Sequence, residues 1–188
     1  MTRYLITGGA GYIGSHVARA LHDRGDFVCI LDDLSTGNAK SVEKHWTATT
    51  PVQNADAVKD LLVSWDIECV IHLAGKAVVS ESFDDPIGCH DVNVGGTVAV
   101  VMAMLSAGVR DLVFASSSAV YSELSPYAHS KAMAERILSD ALTELNVSVL
   151  RYFNVAGADP DAEVGEFHQP ETHLIPLALM AAAGLGSP

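Results

Sequence analysis

Tyr127 and Lys131 stand four positions apart near the start of a predicted helix over 127–145, so both side chains share one face. An ammonium beside a phenol stabilises the phenolate and draws its pKa down from about 10. A phenolate tuned in this way is a usable base near neutral pH. Ser116, Ser117 and Ser118 follow a predicted strand over 112–115. Ligands of a parallel sheet sit at its carboxyl edge, so a hydroxyl there could hydrogen-bond the oxygen that Tyr127 deprotonates. A Tyr-x-x-x-Lys pair alone is unspecific, and a serine run also suits a strand-end loop. The weight comes from what lies at the other end of the chain.

Gly8, Gly11 and Gly14 sit three apart, directly after the apolar run 4–7 and at the opening of a helix carrying Ile13, Val17 and Leu21. The first glycine allows the tight turn, the second lets backbone approach a pyrophosphate, and the third lets the helix pack closely on the sheet. Free N–H groups and the positive dipole end of that helix then face the phosphates. Asp32 closes the next apolar run, 24 positions after Gly8 (32 − 8 = 24). A carboxylate there can accept from an adenosine ribose 2′-OH and would repel a 2′-phosphate. No arginine follows in Asp33-Leu34-Ser35, which favours NAD over NADP. Asp33 reads equally well as a solvated loop acid.

These groups need a scaffold that brings strand ends together. Apolar runs at 4–7, 27–31, 69–73, 112–115 and 147–150 alternate with helical patterns at 55–65, 94–107, 127–145 and 176–183. Nearly unbroken apolar strands joined by helices imply a parallel sheet covered on both faces. Right-handed crossovers make it an α/β, doubly wound, Rossmann-type sheet. The stretch 38–53 shows no period, and 159–172 reads as an acidic, proline-containing loop. The expected division is a cofactor-binding domain over 1–157 and an incomplete start of a substrate-binding region over 158–188.

Composition sets the limits. The chain has 188 residues, room for one domain with a real core. Hydrophobic residues make up 49% and charged residues 18%, which excludes a disordered chain. Eleven basic against 23 acidic residues give a net charge of 11 − 23 = −12, with no basic face for nucleic acid. Cys29, Cys69 and Cys89 form no C-x-x-C pair, and two lie in apolar runs, as small buried hydrophobes in a reducing cytoplasm would. The longest charge-free apolar stretch, 174–186, is shorter than a membrane span. His16, His72 and His90 lack metal-ligand spacing, so no metal is expected.

With these motifs in place, the chain resembles the extended short-chain dehydrogenase/reductases, and within them the UDP-glucose 4-epimerases. The stretches that carry the likeness are TGGAGYIGSH, LDDLSTGN, VIHLAGKAVVSES, ASSSAVY, SPYAHSK, LRYFNVAGADP and ETHLIPLAL. The resemblance implies that Tyr127 takes the proton from the sugar 4-hydroxyl while hydride moves from C4 to NAD. The 4-keto sugar then turns in the site and hydride returns to its other face. It implies that Ser117, counted back from Val120-Tyr121, holds the 4-oxygen, and that Lys131 tunes Tyr127 and holds the nicotinamide ribose. Gly8, Gly11, Tyr12, Ile13, Gly14, Asp32, Asp33, Leu34, Leu73, Ala74, Gly75, Lys76, Asn93, Tyr152 and Phe153 become the cofactor side. Asn154, His173 and Leu174 join Ser117 and Tyr127 on the UDP-sugar side. A homodimer through a four-helix contact of 94–107 and 127–145 is implied as well.

The chain departs from the family pattern at four places. Thr50-Pro51-Val52 stands where a Gly-Asp-Ile-type segment meets adenine. Lys76 is one position early in the Ala-Gly-x-Lys loop, with Ala77 at the usual place. Five residues, 122–126, separate Tyr121 from Tyr127 where the family has a long loop. The chain ends at Pro188, before most of the family's substrate domain. Two expectations follow: an NAD-dependent epimerase, or an NAD-binding domain without productive epimerase activity. A dehydratase would want an acidic pair beside the serine, and Ser118-Ala119 supplies none.

Overall fold

The computed structural model describes residues 1–166, 171 and 173–185. Short apolar runs become strands because neighbours complete their hydrogen bonds, on both sides for the four central ones. The six are β1 (Arg3–Thr7), β2 (Phe27–Asp32), β3 (Trp46–Thr49), β4 (Cys69–His72), β5 (Asp111–Ser117) and β6 (Asn146–Tyr152). All pair in parallel in the order β3-β2-β1-β4-β5-β6. Register places Leu5 between Cys29 and Val70, and all three are fully buried. The chain runs outward through β2 and β3, then returns to the other side of β1 with β4. That reversal opens a crevice at the carboxyl ends of β1 and β4.

Helices cover both faces. They are α1 (Tyr12–Asp23), α2 (Ala55–Ser64), α3 (Glu81–Asp84), α4 (Pro86–His90), α5 (Gly96–Ala107), α6 (Pro126–Asp140) and α7 (Leu174–Ala182). On one face Ala18 and Leu21 of α1 pack with Ile6, Ile30 and Ile71. On the other, Val58 and Leu62 of α2, Val100 and Met104 of α5 and Leu138 of α6 pack with Leu5, Val70 and Phe114. The doubly wound, Rossmann-type expectation is met.

The largest departures from the sequence reading lie at three places. An edge strand, β3, lies inside the aperiodic stretch 38–53; its Trp46 is 44% exposed and meets Trp65 across 5.0 Å. The helix expected from 94 begins at Pro86, with Asp85 accepting from the Gly88 amide, and passes through a π-helical turn, Asp91–Gly95, into α5. The run Pro86–Ala107 is 22 residues, long and apolar enough to cross a membrane by composition alone. Val100 and Met104 are fully buried in the core, so it packs as a core helix. Helix α6 starts at Pro126 under a Ser125 cap to the Ala128 amide and ends at Asp140 rather than 145.

Candidate active site

The glycine loop sits at the crevice. Gly8 has φ +70°, and a Cβ there would meet the Ala74 amide at 2.6 Å, so the loops after β1 and β4 touch. A Cβ on Gly14 would overlap the Gly8 carbonyl. Helix α1 starts with Gly11 as its cap, with no side-chain cap and no acid in its first turn. Its first backbone bond runs from the Ser15 amide to Gly11. Among the described residues the amides of Tyr12, Ile13 and Gly14 have no backbone acceptor. An uncapped helix start with open donors is a fitting seat for a pyrophosphate.

Asp32 ends β2 beside this loop. Its carboxylate accepts from the amides of Ala10 and Leu34, both at 2.9 Å, and burial raises its pKa against those two bonds. Two acceptor sites remain on the carboxylate for a ribose hydroxyl. Asp33 is exposed and closes on the Ser35 amide and hydroxyl. Leu34 between them has φ 60°, a left-handed backbone that costs a branched side chain about 1–2 kcal/mol.

The Ser, Tyr and Lys side chains converge at the end of β5. Tyr127 and Lys131 are both buried on α6. The Ser117 hydroxyl accepts from the Ala119 amide at 3.1 Å, and its influence on the Tyr127 phenol favours the ionised form. Lys131 Nζ donates to the Ala115 carbonyl at 2.9 Å and lies 5.1 Å over the Phe114 ring. Burial holds the Tyr127 phenol above its ordinary value, against a lowering influence of Ser117. The Lys131 ammonium is aimed at the Ala115 carbonyl. Burial pushes Lys131 itself down to about 8, which leaves it protonated at pH 7.

Asn93 supports the site from behind. It lies in the π turn, so it caps no helix start. Its Oδ1 accepts from the Lys76 amide at 2.8 Å, and its Nδ2 donates to the Lys76 carbonyl and to Ser130 Oγ. This clamps the Leu73–Ala74–Gly75 loop; a Cβ on Gly75 would come within 3.3 Å of Lys131 Nζ. The Lys76 ammonium turns outward to Asp85 at 2.6 Å.

Deeper, His72 Nδ1 meets Thr7 Oγ1 at 2.7 Å and its Nε2 meets Thr97 Oγ1 at 3.2 Å. Thr97 Oγ1 donates to the Asn93 carbonyl, so the imidazole is neutral with its proton on Nε2. Burial, with the Lys131 charge adding, pushes His72 down to about 3. Its contribution to stability is therefore complete above the unfolded value near 6.5 and is lost as pH falls from there toward 3. Urea midpoints at pH 7, 5 and 4 should fall steeply in wild type and less steeply in His72→Gln; parallel falls would contradict this.

Of the residues expected on the cofactor side, Tyr152 is half-buried and Phe153 exposed; on the expected sugar side, Asn154, His173 and Leu174 are exposed. His173 Nδ1 lies between Glu166 at 2.7 Å and Glu171 at 3.0 Å, while the neighbouring Thr172 falls outside the described residues. The Tyr12 hydroxyl donates to the Gly157 carbonyl at 2.6 Å, and Arg19 pairs with Asp161 at 3.4 Å and with Glu163. The chain after β6 thus returns to α1. Two polar residues near the site escaped the sequence reading. Glu135 on α6 accepts from Ser116 Oγ at 2.5 Å and takes a fork of bonds from Arg151 on β6. Their spacing is ordinary, and only β5–β6 pairing brings them together.

With this geometry established, comparison with known proteins gives a family. The model of the NAD dependent epimerase/dehydratase family matches residues 4–185. The chain belongs to that family. As an epimerase/dehydratase member it is 39% identical to the UDP-glucose 4-epimerase of Lactobacillus helveticus over 96% of this chain and 60% of that protein. It is 36% identical to the enzyme of Lacticaseibacillus casei over 95% of this chain and 59% of that one. Among solved structures, the Stenotrophomonas maltophila UDP-glucose 4-epimerase with bound NAD and formylated UDP-arabinopyranose superposes with TM-score 0.94 at 34% identity. The match covers 98% of this chain and 63% of that one. The Brucella ovis enzyme in complex with NAD gives 0.93 at 37%, covering 98% and 62%. The chain thus spans about three fifths of the length of these epimerases.

Proposed function

We propose that this chain holds NAD and carries the catalytic side of a nucleotide-sugar 4-epimerase acting on UDP-glucose and UDP-galactose. The observation that carries the reading is the meeting of Ser117, Tyr127 and Lys131 at the carboxyl edge of β5, beside an uncapped α1. The relatives' names and the NAD bound in the solved neighbours support it. Bound NAD would accept the sugar C4 hydride and give it back. The amides of Tyr12, Ile13 and Gly14 would receive its pyrophosphate, and Asp32 its adenosine ribose. Tyr127 Oη would take the proton of the sugar 4-hydroxyl. Ser117 would donate to the same oxygen, and Lys131 would tune Tyr127 and hold the nicotinamide ribose. Residues 1–157 would form the cofactor domain, 158–188 the start of the sugar side, in a cytoplasmic protein.

The first test is ligand-dependent melting. At a hundredfold excess over Kd, NAD adds about 2.7 kcal/mol, a rise of roughly 5–10 °C in Tm for a domain of this size. NADP should need at least about tenfold more ligand for the same rise, because Asp32 faces the 2′ position. Equal responses to the two would remove Asp32 from its proposed role.

A second reading has its own support. Phe153 is 73% and Leu174 82% exposed, and the chain spans three fifths of its relatives. Under that reading the chain binds NAD without productive turnover, and UDP-glucose leaves Tm unchanged. We also propose a homodimer through α5 and α6, where Val98, Met102, Leu105 and Met133 are exposed. Sedimentation should show a dimer that Met102→Glu dissociates; a wild-type monomer would refute it.

A further inference from the structure

We propose that residues 153–164 form a strap latched across the mouth of the crevice, so that NAD enters and leaves only when the latch on α1 opens. The inference rests on the reading of the crevice as the NAD seat.

The sheet order dictates the crossing. Strand β6 is the outermost on its side, and β5 and β4 separate it from β1. Three strand spacings put the end of β6 about 14 Å from the end of β1. The chain leaves β6 at Tyr152, and the Gly157 carbonyl accepts from the Tyr12 hydroxyl at 2.6 Å, in the first turn of α1. Five steps of extended chain reach at most about 18 Å. The crossing therefore has little slack and must pass over the ends of β5 and β4. Residues 153–157 are exposed and belong to no helix or strand, so the strap depends on what anchors its far end.

That end is anchored on α1 and on the segment before β3. The Asp159 amide donates to the Val164 carbonyl at 3.2 Å, and the Glu163 amide to the Asp159 carboxylate at 3.0 Å, which closes a small loop with Val164 buried. The loop presents Asp161 to Arg19 Nη2 at 3.4 Å, and Glu163 to Arg19 Nη1 and to Lys44 Nζ, the last at 2.6 Å. Arg19 follows Tyr12 by seven positions, two helical turns, so both anchors lie on one face of α1. Gly157, between crossing and loop, has φ 144°, a backbone that favours glycine and turns the strap onto the helix.

Latch and seat share a residue. The Tyr12 amide is offered to the pyrophosphate, and the Tyr12 hydroxyl holds the strap. The outer anchor is weak enough to open. The Glu163 side chain is 40% and that of Lys44 66% exposed, and exposed ion pairs contribute little each.

A latch and a ligand contact leave different kinetic marks. Loosening a latch speeds entry and exit by the same factor and leaves Kd unchanged. Removing a contact to the ligand speeds exit alone and weakens Kd by that factor.

The experiment follows binding and release of etheno-NAD, a fluorescent analogue, by stopped flow. Glu163→Gln removes the shared partner of Arg19 and Lys44 from a surface position, and both rates should rise about two- to fivefold with Kd held. Arg19→Gln should do the same. Tyr12→Phe cuts the inner anchor while keeping the ring and the amide, and both rates should rise about fivefold, the equivalent of one ordinary hydrogen bond. If Tyr12→Phe does not fold, Glu163→Gln decides. Arg110→Ala breaks an exposed pair with Glu144 at the amino edge of β5 and should change neither rate. Unchanged rates in Glu163→Gln and Arg19→Gln, or faster release alone with a weaker Kd, overturn the strap while leaving the NAD reading in place. A wild type that binds no etheno-NAD overturns the NAD reading, and the strap's role with it.

Discussion

Phenylalanine at position 127 is expected to slow UDP-galactose to UDP-glucose conversion by about 10²–10⁴-fold, the usual worth of a positioned general base. The substitution keeps the buried ring on α6 and removes only the hydroxyl. NAD binding should persist, because the glycine loop and Asp32 lie on β1, α1 and β2. Wild-type turnover should also rise with pH as the phenol ionises, since burial holds it above its ordinary value. The variant should lose that rise. The check is product analysis across pH, with NAD affinity measured by calorimetry. A variant that turns over like wild type would remove Tyr127 as the base. A variant that loses NAD as well would make the residue structural first.

Alanine at position 14 is expected to do damage out of proportion to one methyl group. Its Cβ would overlap the Gly8 carbonyl and approach the Gly9 Cα at 2.7 Å. Both are backbone atoms of the loop, so no side chain can rotate out of the way. The loop must be pushed off α1, at a cost of about 1–3 kcal/mol typical of overpacking. The open amides of the first α1 turn then no longer meet the loop that faces them, and the NAD-induced rise in Tm should vanish. Gly165→Ala is the control, since nothing lies within 4 Å of its Cβ; it should stay within about 0.5 kcal/mol of wild type. Denaturation and NAD melts of the two variants would settle this. A Gly14→Ala protein that binds NAD normally would mean the loop has room the geometry denies.

What was legible in the sequence were the local patterns. Tyr127 and Lys131 share a helix face because helical spacing alone puts them there, and Gly8, Gly11 and Gly14 directly follow a buried strand. The central strands were readable because a parallel sheet buried on both faces forces continuous apolar runs. Strand β3 was not, because an edge strand of four residues, Trp-Thr-Ala-Thr, is too short for its alternation to stand out. The π turn that aims Asn93 at the Lys76 loop has no local signal, since its neighbours are all helical. Arg151 and Glu135 are 16 positions apart, and Tyr12 and Gly157 are 145 apart. Such pairs arise only when the sheet order brings distant segments together. The same holds at Lys131: i,i+4 spacing places it on the face of Tyr127, but where its ammonium points depends on the Ala115 carbonyl across the fold.

The most direct test of the account is incubation of the protein with UDP-galactose and NAD, followed by separation of the nucleotide sugars. The account predicts that UDP-glucose accumulates with wild-type protein and not with Tyr127→Phe. Bound NAD with no UDP-glucose formed, or equal conversion by both proteins, would contradict it.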